Sequence, residues 1–241
     1  MSLFEQFAMP INEAIFSQRS IRRVKPDAID DEILIQLVEF ATKAPNSMNK
    51  QDWEFIIVKD PAVKAKLAKQ NGFMWRLIKR SMDRKAEKEP EYAGIHKAMT
   101  WSCEHFDEYP AMIIACCRGP RFAYPPILGA SLYGSIFPAV QNLMLAARAI
   151  GLGANLTTMP FWSNWFARRI LGIPFSITPT VLITLGWPIG KYGPTQRKPV
   201  GDVISLDRYG NKPWLGKRAV DCAQVQVKQS VIEKEPINNY S

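Results

Sequence analysis

Apolar residues recur at helical spacing early in the chain. Residues 11–18 read as a first helix. Asp30-Asp31-Glu32 opens a second, whose Ile33, Leu34, Leu37, Val38 and Ala41 make one apolar face before Pro45 stops it. Residues 54–58 predict a short strand. Asp60-Pro61 is an N-cap followed by proline at the first helical position, and it starts a helix to about residue 69. The next stretch, residues 73–89, mixes Trp75, Leu77 and Ile78 with many charged positions, the pattern of a surface or lid helix. Residues 110–117 (PAMIIACC) are continuously apolar, as in a strand covered on both faces. Residues 132–150 predict a long helix, closed by Gly151, that is apolar on nearly every side. A helix without a wet face needs cover all round, and in a chain of this size a second subunit is the simplest source of it. Residues 154–158 and 180–185 predict two more strands, and Ser163 caps a helix between them that runs to about residue 171. This irregular alternation predicts an α+β layered fold. Residues 1–210 read as a single domain, and residues 211–241, which lose all periodicity, as an extended arm or tail.

Composition narrows the picture without choosing a function. With 241 residues, 47% of them hydrophobic, the chain is long enough for one substantial core. A formal net charge of +9 favours anionic partners, whether small molecules, nucleic acid or a membrane surface, and equally fits a merely soluble basic protein. The first ten residues lack a basic region followed by a long apolar core. No apolar run approaches the roughly 20 residues of a spanning helix, so a cytoplasmic protein with no membrane partner is expected. The four cysteines, at 103, 116, 117 and 222, have no metal or redox spacing and read as reduced packing residues, with Cys116 and Cys117 pointing to opposite faces of a strand.

Several chemistries lose their support. Gly151-Leu152-Gly153 begins like a dinucleotide fingerprint but lacks the third glycine and follows a helix instead of a strand. No P-loop and no G-x-S-x-G elbow is present. The two histidines, His96 and His105, have no ligand spacing, so no metal is expected. The basic residues are spread along the chain without a recognised nucleic-acid reader motif, and no nucleic-acid partner is expected.

Three short motifs remain: Gln18-Arg19-Ser20-Ile21-Arg22-Arg23, the run from Ala44 to Trp53 (APNSMNKQDW), and Gln196-Arg197-Lys198-Pro199. Singly, the first reads as a solvated basic helix end and the second as turn residues after a proline. Together they supply guanidinium groups, a hydroxyl and side-chain amides, the donors that hold a phosphorylated, hydrogen-bonding planar cofactor such as a flavin. Guanidinium groups bind phosphate bidentately, a task that suits Arg19 and Arg197. A fixed cation beside the ring stabilises its reduced, negatively charged form, a task that suits Arg22. Such a pair is worth about 4 kcal/mol in Coulomb terms at an effective dielectric near 20 and a separation near 4 Å, before desolvation.

In these motifs, and in the run PAVQNLMLAARAIGLGANLTT from Pro138 to Thr158, the chain resembles the FMN-dependent nitroreductase family over about residues 11–210. The resemblance implies an α+β sandwich with a central mixed β-sheet flanked by helices, assembled as an intertwined homodimer with FMN in clefts at the interface, each FMN touching both chains. It implies that Arg19, Ser20 and Arg22 serve the phosphate, ribityl and pyrimidine side of FMN, with Arg197 on the phosphate and Lys198 nearby. Pro45, Asn46, Ser47 and Asn49 would reach the cofactor from the partner subunit, and Leu156, Thr157 and Thr158 would pass the ring near N5. Gln18, Asn46 and Asp52 depart from the residues common in the family. The implied reaction is ping-pong: NADH or NADPH gives hydride to N5, and an electron-poor planar acceptor, a nitroaromatic or quinone, then takes the electrons. No side chain is required as a catalytic acid or base. Trp75 and Tyr124 stand in irregular, lid-like stretches and are the candidates for the acceptor slot. Other roles on the same fold stay open: a dehydrogenase, a reductive dehalogenase, a flavin-cleaving or a flavin-storing protein. A basic nucleic-acid-binding protein is the remote alternative.

Overall fold

Strand β2 (Ala111–Arg118) is buried from Ala111 to Cys117 and exposed only at its last residue. A strand with no wet side sits inside a sheet covered above and below, and the computed structural model, which describes residues 4–119, 126–190, 192–195 and 197–218, shows that arrangement. Strand β1 (Trp53–Val58) pairs with β2, β2 with β4 (Ile177–Gly186), and β4 with β3 (Gly153–Thr157), all antiparallel. A bulge between Ala115 and Cys116 shifts the β2–β4 register. The mixed sheet expected from the sequence is thus antiparallel in its four strands. Among the described residues its one parallel element is an isolated bridge between Ser20 and Ala154.

Six α-helices flank this sheet among the described residues: α1 (Ile11–Ser17), α2 (Asp31–Ala41), α3 (Pro61–Lys88), α4 (Pro90–Glu104), α5 (Pro126–Ala149) and α6 (Asn164–Leu171). On one face α2 and α5 bury Leu34, Leu37, Val140 and Leu143 against Ile113, Val181 and Ile183. On the other, Leu67 of α3 and Ala167 of α6 join Ile21, Val24, Phe106 and Tyr109 over Met112, Ile114 and Leu182. Cys117 belongs to the first cluster and Cys116 to the second, the two-faced placement predicted from alternation. Cys222 and Tyr124 lie outside the described residues.

The helices depart from expectation in length. Asp60 caps α3 as predicted, its carboxylate accepting the Val63 N–H at 2.8 Å. The helix then continues past residue 69 to Lys88, 28 residues in all, because no proline interrupts it before Pro90. Pro90 also occupies the first turn of α4, a helix the sequence reading did not anticipate. The α3–α4 pair is tied by Asp83, which receives Lys79 Nζ at 2.9 Å and lies 2.8 Å from His96 Nε2. Tyr92 Oη donates to Met82 Sδ at 3.2 Å. Helix α5 begins six residues earlier than predicted, and Gly151, at φ 84°, ends it as expected. Ile127 and Leu128 of α5 and Ile11 and Ile15 of α1 remain exposed on the single chain. Among the described residues no helix is long and apolar enough to cross a membrane.

Candidate functional site

The chain leaves α1 at Gln18 and runs extended along the free edge of β3. The Ile21 N–H donates to the Ala154 carbonyl at 3.0 Å, Lys25 N–H to Trp187 at 2.7 Å, and Ile189 N–H returns to Arg23 at 3.0 Å. Two glycines make this path possible. Gly153 and Gly186 face each other across β3 and β4. A β-carbon at Gly153 would stand 2.7 Å from Ile21 Cγ2, and one at Gly186 2.6 Å from Val24 Cγ2. The glycine pair therefore opens the groove that seats Ile21 and Val24. Residues between and before them turn to the other side: Arg19 and Ser20 are exposed and Arg22 is half-buried.

Arg22 is held from the backbone outward. Tyr109 Oη donates to the Arg22 carbonyl at 2.6 Å and lies 2.8 Å from Ser102 Oγ. Burial lowers the pKa of the Arg22 guanidinium, while the neighbouring Tyr109 and Cys103 oppose that shift. The side chain opens on a cavity of about 220 Å³ whose walls include Asn71, Cys103, Asn155, Thr157 and Thr158. Burial pushes the Cys103 thiol up to about 11, against the pull of a hydrogen bond from Asn71 Nδ2 to its sulfur at 3.4 Å. Asn155 is 3% exposed, and its Oδ1 is buried with no protein partner among the described residues. An unpaired buried acceptor costs about 1–3 kcal/mol unless a ligand donates to it.

Thr158 and Met159 also line a second cavity, of about 490 Å³, walled by Tyr133, Phe137, Phe161, Trp162, Thr178 and Thr180. The two spaces adjoin at the end of β3. Arg19 lies on the outer side of the same segment, with Nη1 3.5 Å from the Gly193 carbonyl and its guanidinium 5.9 Å from the Tyr192 ring centre. The Thr195 N–H donates to Phe16 at the end of α1, at 3.1 Å. Arg197 and Lys198, farther along the chain, are both exposed.

The Pro45–Asn49 motif stands elsewhere. Asn46 and Ser47 line a cavity of about 300 Å³ with Lys50, Arg118 and Ser135, and this cavity shares no lining residue with the other two. Ser47 N–H donates to Ser135 Oγ at 3.1 Å, and Asn46 Oδ1 accepts the Gln51 N–H at 2.9 Å. Met48, Asn49 and Gln51 all have φ between 52° and 54°, a left-handed run that costs non-glycine residues and clusters at ligand clamps. One copy of the chain therefore presents two separate donor sets.

Trp75 is not part of either set. It is 5% exposed and packs α3 on α4, its ring 5.9 Å from that of His96. Asn71, one turn earlier on the same buried stripe as Leu67 and Trp75, reaches the cavity instead. Asn71, Asn155 and Cys103 are the cavity residues that sequence reasoning missed. A polar residue inside the apolar stripe 67, 71, 75, and another between Ala154 and Leu156, are the signals that mark the first two.

The nitroreductase family model matches residues 15–187 of this chain. An NADH dehydrogenase of Thermus thermophilus is 25% identical over 201 residues, covering 79% of this chain and 93% of its own. Iodotyrosine deiodinase 1 of Rattus norvegicus is 25% identical over 184 residues, covering 73% of this chain and 61% of its own. Among solved structures, a nitroreductase with bound FMN from Desulfitobacterium hafniense superposes with a TM-score of 0.61 at 19% identity, covering 83% of this chain and all of the other (100%).

Proposed function

The chain belongs to the nitroreductase family of oxidoreductases, and from that premise we propose that it binds FMN between two copies of itself and uses it to reduce an electron-poor planar acceptor at the expense of NADH or NADPH. The observation that carries this reading is the separation of the two donor sets. Arg22 and Leu156–Thr158 line one cavity at the end of β3, with Arg19 and Ser20 on the segment beside it, whereas Asn46 and Ser47 line a cavity with no residue in common. A cofactor held by both sets takes the second from a partner subunit, and the exposed Ile11, Ile15, Ile127 and Leu128 are the apolar surface such a partner covers.

The residues fit the group. Asn155 Oδ1 is an orphaned acceptor for a ring N–H, the half-buried Arg22 is a fixed cation for the pyrimidine edge, and Gly153 clears the path that puts Arg22 there. When bound, FMN would supply the two-electron redox chemistry that links a nicotinamide donor to the acceptor. Arg22 favours the reduced form by charge, and Arg19 with Arg197 anchors the phosphate. The backbone from Leu156 to Thr158 orients the ring edge, and the adjoining aromatic cavity admits a flat acceptor against Tyr133, Phe137 and Trp162. No side chain of the cavity is assigned as an acid or base.

The purified protein is expected to be yellow and to bleach on anaerobic addition of NADPH or NADH, then recolour with a quinone or nitroaromatic. A colourless monomer that takes up no FMN overturns the proposal. The similarity to an iodotyrosine deiodinase supports a second reading, reductive removal of halogen from an aromatic ring. Recolouring of the bleached protein by a halogenated phenol, but not by quinones, would select it.

A further inference from the structure

The Trp162 ring is stacked on Phe73 of α3 at 4.7 Å and lies 6.0 Å from Phe166, which in turn meets Trp165 edge-on at 5.0 Å. This row of rings continues along the surface without a break. Trp165 is 53% exposed, and Leu77, one turn beyond Phe73, is 63% exposed. Phe175, just past α6, is 85% exposed. Large contiguous apolar surface on a soluble protein marks a contact site.

Cations border the row on every element. Phe73, Leu77, Arg80 and Arg84 follow one face of α3 at spacings of four, three and four, with Arg76 beside them, and all are exposed. On α6, Arg169 lies over the Trp165 ring at 4.8 Å and Arg168 over the Phe175 ring at 5.3 Å. The sequence has no carboxylate from residue 61 to 82 or from residue 109 to 201. Among the described residues none of these five arginines forms an ion pair. The surface is therefore apolar at its centre and predominantly positive at its rim, where Asp83, between Arg80 and Arg84, is paired with Lys79.

We propose that this surface, built by α3, α6 and Trp162, docks the protein on an anionic lipid bilayer. Tryptophan and phenylalanine inserted at headgroup depth, with arginine stems reaching up to phosphate, is the chemistry of an interfacial helix. Single-stranded nucleic acid is the other polyanion that attracts aromatic and basic residues, but base stacking needs open ring faces. Here Arg169 lies over Trp165, Arg168 over Phe175 and Phe73 on Trp162, so one face of each of these rings is already taken. The sequence predicts no membrane partner because no spanning segment is present; a peripheral contact requires none. The inference does not depend on the flavin reading.

Sedimentation of the full-length purified protein with vesicles decides the matter. Binding is expected to vesicles of phosphatidylcholine mixed with phosphatidylglycerol and not to phosphatidylcholine alone, with a blue shift of tryptophan emission and weakening by salt. Arg169→Gln should weaken binding about fivefold. The double variant Trp165→Ala with Phe166→Ala should lose the blue shift while keeping the wild-type yellow colour and oligomeric mass. Absence of binding to anionic vesicles, or equal binding by all three proteins, overturns the proposal. So does a fall in mass of the double variant, which assigns the patch to a second copy of the chain. Salt-sensitive, Trp165-dependent binding to a single-stranded oligonucleotide without vesicle binding overturns it in favour of nucleic acid.

Discussion

Ile21 occupies the space a side chain at Gly153 would need: a β-carbon added there meets Ile21 Cγ2 at 2.7 Å and Cβ at 3.0 Å. The motif that carries Arg19, Ser20 and Arg22 is thus seated by a glycine 131 to 134 residues later, in a run whose glycines invite a dinucleotide reading. Gly153→Ala should displace the motif, costing about 1–3 kcal/mol of stability and loosening FMN. Adding Ile21→Ala removes the Cγ2 contact and should return part of both. Thermal unfolding and flavin content of the single and double variants check this, and a double variant as impaired as the single refutes it.

Arg22 is proposed to favour the reduced cofactor by charge. Arg22→Gln keeps much of the side-chain shape and removes the cation, so the midpoint potential of the bound flavin should fall, by about 30 mV for each tenfold loss in the reduction equilibrium. Arg197→Ala, at the proposed phosphate, should instead weaken retention with little effect on potential. Spectroelectrochemistry and equilibrium dialysis separate the two effects. An unchanged potential in Arg22→Gln overturns the assignment.

Asn155 sets stability against binding. With its Oδ1 buried and unpartnered, Asn155→Leu should leave the flavin-free protein as stable or about 1 kcal/mol more so, while the affinity for FMN falls. Denaturant unfolding with and without cofactor measures both. A loss of stability in the cofactor-free form would mean that the amide is already paired within the fold.

Buried acids make the fold sensitive to alkali. Burial pushes the Cys116 thiol up to about 12 from 9.0 and the Tyr109 hydroxyl to about 12 from 10.0. Both groups are neutral in the folded chain and ionise earlier in the unfolded one. Their contribution to stability is therefore complete below pH 9 and is lost as the pH rises from about 9 toward 12, at up to about 1.4 kcal/mol per pH unit for each group. The melting temperature should fall steadily above pH 9, and Cys116→Ala should flatten the slope.

Legibility in the sequence followed the strength of the local signal. The strand at Ala111–Arg118 was plain, because a run apolar at every position has one physical reading, and Asp60-Pro61 marked the start of α3 because capping and proline chemistry are local. The extent of α3 was not: residues 73–88 have no stopper, but their charge hid the stripe that packs on α4. Helix α4 is not legible because its apolar residues are sparse and its packing partner, the far half of α3, carries the charge pattern of a surface helix. Within the candidate site, residues carried by the three motifs and the family resemblance are legible, and isolated neutral ones are not. Arg22 announces itself, while Asn71 and Asn155 acquire meaning only when the fold turns them into the same cavity.

The stretch from Tyr109 to Gly201 contains no aspartate, glutamate or histidine, and burial raises both of its cysteines. Nothing in it exchanges a proton between about pH 5 and pH 8. Strands β2, β3 and β4 and helices α5 and α6 thus present a constant charge across the physiological range. Any acid-side dependence of turnover must originate outside this electrostatically frozen half or in the reactants themselves.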